Sequence, residues 1–355
     1  MKISEQELLQ NGIEAIKKCL SDVPFLQIGE AKQLPLKRDL QADAILRVNS
    51  ASKEIYLLLV AKNTGQPRVT REAINQLLLM TPNLPDSCGV VVAPFISEAS
   101  AEICREAGVG YVDLSGNGRL TFDQVYIEKK GQRNIFAEKR DLRTLYSPKA
   151  ERILRVLLEN PEKRWKQQEL EAEANVSLGL VNNVKRLLLD REWITIEKEG
   201  FYLNNPVLLL LEWEKNYKFS QSAPTEYYSM DSVNEIERKI AEACRKEELV
   251  YAFTGFSAAA RRAPHIKYQR VYVYVDGDPQ IVANRVGLKT VSSGANVVLL
   301  KPYDEGLFYG KEKLDELTVV SSVQNYLDLT KIPMRGSEAA MFIFQTVLKV
   351  RWQVR

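Results

Sequence analysis

The spacing of apolar residues changes period several times along the chain, and each change marks an element. Helical spacing over Glu7–Leu20 gives way to two runs of strand-like alternation, Ala44–Val48 and Glu54–Val60, joined by a turn at Asn49–Lys53. Thr70–Met80 returns to the helical period. Gly89–Ala93 then reads as a buried strand, a helix starts at Ser97, and Tyr111–Leu114 closes the block as a strand. Strands alternating with helices predict an α/β layer over residues 1–135. No apolar period is sustained from Lys129 to Ser147, so residues 136–147 read as a basic linker; Lys129, Lys130, Arg133, Lys139, Arg140 and Arg143 lie in or beside it.

Residues 148–219 form the most legible block. Pro148 suits the first position of a helix, where its missing N–H leaves nothing unbonded. Ile153, Leu154, Leu157 and Leu158 give that helix an apolar face, and Gln168–Ala174 makes a second, short one. Asn175-Val176-Ser177 is a tight turn with Ser177 placed as N-cap. A third helix runs from Leu178 to about Asp190, with Val181, Val184, Leu187 and Leu188 facing inward. Two strand-like runs follow, Trp193–Glu197 and Phe201–Asn204, around Lys198-Glu199-Gly200, where glycine supplies the positive φ of a short hairpin. Three helices and a hairpin predict a winged helix-turn-helix.

Residues 220–355 open with the helix Ser232–Glu247 and the strand Leu249–Phe253. Thr254-Gly255-Phe256-Ser257 then enters a small-residue helix, and strands are expected at Val271–Val275, Asn296–Leu300 and Thr318–Ser321, with a terminal helix from Ser337. The fold class expected is α/β (α+β over several domains).

Composition narrows the chemistry. With 45% hydrophobic and 27% charged residues the chain is of globular type, and 355 residues call for two or three domains. The formal net charge of +3 demands no nucleic-acid partner. The first residues are charged and amphipathic, unlike a signal peptide, and the longest apolar run, Pro206–Leu211, is too short to span a bilayer. Cys19, Cys88, Cys104 and Cys244 are scattered without a CxxC pair, so they read as reduced thiols of a cytoplasmic protein. His265 is the one histidine, which argues against Cys/His zinc sites. Neither a metal nor a cofactor is expected.

In a helix-turn-helix the second helix enters the major groove. Ser177, Asn182, Asn183, Lys185 and Arg186 fall on or near its outward face, asparagine being suited to adenine edges and arginine to guanine. Lys198 at the wing tip can meet a phosphate. Against this, ten basic and ten acidic side chains cancel between Lys149 and Glu199, and Glu169, Glu171 and Glu173 crowd the second helix. A winged helix serving protein contacts alone remains open.

Asp43 ahead of one strand, Lys62 at the end of the next and Gln76 on the following helix resemble the core of restriction-endonuclease-like nucleases, a likeness extended by Asp113-Leu114-Ser115-Gly116-Asn117. That chemistry needs two carboxylates around Mg²⁺ with a lysine nearby. The second carboxylate belongs two residues before the lysine, where this chain has Val60. The resemblance therefore implies an inactive nuclease-like domain; a displaced acid, Glu54 or Glu72, would restore activity. In the third block, Gly255-Phe256-Ser257 with Asp276-Gly277-Asp278 faintly resembles nucleotidyltransferases, although Asp-Gly-Asp-Pro more often makes a turn. Arg261, Arg262, His265, Lys267 and Arg270, with no intervening acid, form a candidate patch for nucleic acid or an acidic partner.

The winged helix together with Tyr251–Ala259, Tyr272–Val275, Gly294–Pro302, Gln324–Leu329 and Arg335–Ala340 resembles AbiEi-type antitoxins of type IV toxin–antitoxin systems. The resemblance implies a winged helix that binds double-stranded DNA and represses its own operon, and a C-terminal domain of nucleotidyltransferase-like α/β type supporting antitoxicity. It also implies a cognate nucleotidyltransferase-like toxin as partner, with no membrane. A helix-turn-helix also allows a homodimer on a repeated site. Beside the regulator stand two rivals, a Mg²⁺-dependent nuclease centred on Asp43 and Lys62 and a scaffold that holds a partner protein without DNA.

Overall fold

In the computed structural model, which describes residues 4–34, 42–50, 52–136, 145–262 and 268–353, the chain divides into two compact units. Residues 1–142 group with 188–192, and residues 143–187 with 193–355.

The first unit begins with α1 (Glu5–Leu20), capped by the Ser4 hydroxyl. Then follow β1 (Gln27–Gln33), β2 (Ala44–Asn49), β3 (Glu54–Ala61), α2 (Pro67–Met80), β4 (Ser87–Ala93), α3 (Glu98–Glu106), β5 (Gly110–Asp113), β6 (Gly118–Phe122) and β7 (Val125–Lys129). The seven strands lie in sequence order in one sheet, with β3, β4 and β5 parallel to one another and the other neighbours antiparallel. Strand alternation sorts the core. Leu57, Leu59, Val90 and Val92 pack with α1 on one face, and Leu58, Val60, Val91 and Ala93 pack with Ala73, Ile74 and Leu77 of α2 on the other. A sheet covered on both faces reads as a continuous apolar run, as Tyr56–Ala61 does. Tyr111–Leu114 is not the last strand of this unit, because β6 and β7 extend the sheet beyond it.

The second unit holds α4 (Pro148–Glu159), α5 (Gln167–Ala174), α6 (Leu178–Asp190) as far as Leu187, β8 (Ile194–Glu197), β9 (Gly200–Leu203) and α7 (Pro206–Asn216). Its larger layer follows: β10 (Pro224–Tyr228), α8 (Val233–Lys246), β11 (Val250–Thr254), α9 (Gly255–Arg262), β12 (Val271–Asp276), α10 (Pro279–Val286), β13 (Lys289–Thr290), β14 (Val297–Leu300), β15 (Glu312–Leu314), β16 (Leu317–Val319), α11 (Ser322–Lys331) and α12 (Gly336–Ile343). The strand order is β13-β10-β14-β12-β11-β16-β15. Phe253, Val271, Val273, Val275 and Leu299 face α8 and α10 on one side of this sheet. The alternate residues, among them Thr254 and Tyr274, face the other way, toward α11.

The first helix of the winged helix is not amphipathic in its surroundings. Besides its expected apolar face, α4 buries Glu151, Arg155 and Glu159. The reason is a polar network shared with the larger layer. Arg155, 0% exposed, donates from Nε and Nη2 to Gln324 Oε1 at 3.0 and 2.8 Å and from Nη2 to the Tyr303 hydroxyl at 3.1 Å. Its guanidinium lies 4.9 Å from the Trp213 ring centroid. Glu151 accepts from Trp213 Nε1 at 3.0 Å and from the Tyr303 hydroxyl, and stands 3.5 Å from Arg155. Gln324 passes the chain on to Asp328, whose carboxylate also accepts from Tyr217, Tyr274 and Thr254. Burial raises the Asp328 carboxyl to about 6 despite those four donors.

Candidate nucleic-acid interface

The helix-turn-helix is built from local signals. Ser147 accepts from Ala150 N–H to cap α4, ahead of Pro148. Asn175 ends α5 in the left-handed region at φ 49°, a conformation asparagine tolerates better than most residues. The first N–H groups of α6 then find two acceptors, Leu180 N–H donating to Ser177 Oγ at 3.4 Å and Leu178 N–H to Glu171 Oε1 at 3.0 Å. Val181, Val184, Leu187 and Leu188 are buried, while Ser177, Asn182, Asn183 and Arg186 are exposed. Lys185 is half-buried, with Nζ 5.1 Å from the Phe201 ring centroid, so it lines a groove beside the wing.

The wing is the β8–β9 hairpin with Lys198 and Glu199 exposed at its tip. Gly200 has φ 151°, and a Cβ there would stand 2.6 Å from the Trp165 carbonyl oxygen. That close approach exists because Trp165 pairs with Phe201, N–H to O at 2.7 Å one way and 3.0 Å the other. Between α6 and the wing lies a groove of about 370 Å³, bordered by Lys166, Gln168, Lys185, Ile196, Lys198 and Phe201.

The acids that weigh against a DNA partner in sequence are committed in space. Glu169 accepts from Lys166 N–H at 3.3 Å, Glu171 caps α6, Glu173 accepts from the Tyr309 hydroxyl at 2.8 Å, and Glu197 pairs with Arg164 at 2.6 Å.

In the first unit, Asp43, Lys62 and Gln76 come together. Ala44 pairs with Leu59 across antiparallel strands, so Asp43 stands one place beyond that pair, opposite Val60. Asp43 accepts from Ala61 N–H at 2.7 Å, and Lys62 Nζ donates to Gln76 Oε1 at 3.3 Å. Burial raises the Asp43 carboxyl. Val60 is 0% exposed, packed against α2. Glu54 starts β3 eight residues before Lys62, about 25 Å away at strand rise, and Glu72 is ion-paired with Arg68 at 2.8 Å. Among the described residues no group of three or more His, Cys, Asp or Glu is placed to hold a metal ion.

The Gly255–Ser257 turn and the Asp276–Asp278 pair do not meet. Thr254 pairs with Tyr272 and Val250 with Asp276, which sets them at opposite ends of the strand pair, about 13 Å apart. Asp278 instead caps α10, accepting from Gln280 N–H at 3.0 Å, so the turn reading of this motif holds. Of the basic cluster, Arg261 pairs with Glu237 at 2.7 Å, Arg262 with Glu312 at 2.6 Å, and Arg270 with Glu226. Arg262 is almost wholly covered. His265 and Lys267 lie outside the described residues, as do Lys139, Arg140 and Arg143 of the linker. The thiols of Cys104 and Cys244 are buried, which pushes both up to about 12. Among the described residues, no helix is long and apolar enough to cross a membrane. Sequence reasoning missed Glu151, Arg155 and Asp328; charges at helical spacing inside an apolar face were the available signal.

The second unit is thus a winged helix joined to an α/β layer through a buried polar network. Residues 202–349, a little under half of the chain, match the family described as transcriptional regulator, AbiEi antitoxin, type IV toxin–antitoxin system. The match begins within β9, so the helix-turn-helix itself lies outside it. No curated protein and no solved structure matches the chain.

Proposed function

We propose that the chain is a DNA-binding transcriptional regulator of a type IV toxin–antitoxin system, reading the major groove with α6. The observation that carries this is the division of α6 into two edges: Val181, Val184 and Leu187 are buried, while Ser177, Asn182, Asn183 and Arg186 are exposed. Amide and guanidinium groups are the side chains that form paired hydrogen bonds with adenine and guanine edges. Lys198 at the wing tip and Lys185 in the adjoining groove meet phosphates in this reading, and the family supplies a cognate toxin as the protein partner. A homodimer on a repeated site and a cytoplasmic location belong to the same reading. The first unit, with Val60 where a metal-binding acid belongs, is read as a nuclease-like domain without catalysis.

The test is a selection of duplexes from a random pool, followed by gel shifts. The Asn183→Ala, Arg186→Ala double variant should stay folded and lose sequence-selective binding, each lost bidentate contact being worth about 1–3 kcal/mol of discrimination. Wild-type selectivity in that variant would overturn the assignment of α6.

A further inference from the structure

The turn that launches α6 is held by residues from far along the chain, within the same compact unit. Asn175 Nδ2 donates to Glu305 Oε1 at 2.9 Å, and the Asn175 carbonyl accepts from Arg152 Nη1 at 3.1 Å. Arg152 is fixed in turn, with Nε and Nη2 each 2.8 Å from the two Asp304 oxygens and Nη1 2.5 Å from Glu305. A paired guanidinium–carboxylate contact of this kind sets orientation as well as distance. Gly306 lets the segment close down on it, since a Cβ there would stand 2.7 Å from Arg152 Cγ. Two residues earlier, at Glu173, the Tyr309 hydroxyl donates at 2.8 Å, and it accepts from Asn160 Nδ2 at 3.3 Å. The Asn175 side-chain amide and the end of α5 are therefore held directly by Asp304–Tyr309, and the Asn175 carbonyl is held through Arg152.

A helix-turn-helix closes its own turn through its own core, so these contacts are additional to what the motif needs to fold. We propose that Glu305 and Tyr309 are positioning residues for DNA recognition: the segment Asp304–Tyr309 sets the pose of α6, and selective affinity depends on it. This rests on the reading of α6 as the DNA-contacting helix. Groups that read base edges must be held to within about half an ångström, and side chains touching no DNA can supply that. Displacement of the segment would then couple events on the larger layer to DNA release.

The sign of the effect separates positioning from charge. Removing an acid near a DNA-binding element should tighten binding by electrostatics alone. Positioning requires the opposite. The full chain carrying Glu305→Ala and Tyr309→Phe is compared with wild type on the duplex that wild type enriches from a random pool, alongside Glu305→Gln. Glutamine removes the same charge but keeps an acceptor for Asn175 and Arg152. The expected result is about tenfold weaker selective binding for the double variant, about threefold for Glu305→Ala, and less than twofold for Glu305→Gln. Hydrogen exchange should quicken at the Val176–Val181 amides and stay unchanged in β11 and β12. Equal or tighter binding by the double variant overturns the proposal, as does glutamine behaving like alanine. If the double variant unfolds, Glu305→Ala carries the test alone, because that side chain is 59% exposed. If wild type enriches no duplex, the reading of α6 falls, and exchange decides the grip: faster exchange at Val176–Val181 supports it, unchanged exchange overturns it.

Discussion

Replacing Arg155 by methionine isolates the network that joins α4 to the larger layer. The guanidinium is fully buried and serves Gln324, Tyr303 and Glu151 at once. Methionine keeps most of the stem's volume and leaves Glu151, itself 4% exposed, without its counter-charge. Removing one partner of a buried ion pair costs about 3–5 kcal/mol, because the survivor stays desolvated and uncompensated. Burial already raises the Glu151 carboxyl, and the Arg155 charge is the first influence opposing that. In the variant Glu151 should therefore take up a proton more readily. A carboxyl whose folded value is raised favours folding while protonated and loses that contribution as pH rises through its folded value. The penalty should accordingly shrink as pH falls. The assay is urea denaturation followed by tryptophan fluorescence, which reports the second unit alone because Trp165, Trp193, Trp213 and Trp352 all belong to it. Arg155→Met should lose about 3–5 kcal/mol at pH 7, and adding Glu151→Gln should recover part of it. A loss below about 1 kcal/mol, or a penalty indifferent to pH, would refute the reasoning.

Three further outcomes are expected. Asp328, with its folded value near 6 against an ordinary 3.8, contributes stability that is complete below about pH 4 and lost as pH rises through 6. At 1.36 kcal/mol per unit this is about 3 kcal/mol; Asp328→Asn should flatten that stretch of the second unit's pH profile, and an unchanged profile would reassign it. Gly200→Ala forces a side chain into φ 151° against the Trp165 backbone, so the wing should lose about 1–3 kcal/mol, read as a lower urea midpoint; a neutral result would mean the hairpin can rearrange. Supercoiled plasmid incubated with Mg²⁺ or Mn²⁺ should stay intact with wild type and with Lys62→Ala alike, whereas cleavage that disappears in Lys62→Ala would restore the nuclease reading.

What could be read from the chain followed the strength of its local signals. Ser147-Pro148, Ser232 with Glu235, and Ser97 announce helices through caps, and the structure uses each of them so. The wing was legible because Gly200 sits where a positive φ is required. The β6–β7 hairpin was not, because it turns on Asp123-Gln124, with Asp123 at φ 48° and no glycine to mark it. Edge strand β1 escaped because Gln27–Gln33 is half-exposed and bulged, with little apolar alternation to detect. α7 had a start signal in Asn205-Pro206, but its apolar run masks the helical period. The basic cluster at Arg261, Arg262 and Arg270 shows a different limit. No acid lies near these residues in sequence, yet Glu237, Glu312 and Glu226 reach them from other elements.

The same distinction between sequence and space governs the electrostatics of the winged helix. Counting charges from Lys149 to Glu199 gives exact balance, which argues for no affinity for a polyanion. Long-range potential, however, depends on which charges face solvent without a partner. Glu151 and Glu159 are buried and paired with Arg155 and Arg351, and Glu169, Glu171, Glu173 and Glu197 each hold a hydrogen bond within the unit. Most of the acids are thus spent on shaping the motif, Glu171 on the very N–H group that opens α6. What faces outward around the groove is Lys166, Lys198, Asn182 and Asn183, with Glu199 at the wing tip. A surface of this kind holds few phosphates, so its affinity for arbitrary DNA should be weak. If α6 reads DNA as proposed, selectivity has to come from a small number of well-held base contacts, and that makes the rigidity of the turn at Asn175 matter more than the number of positive charges.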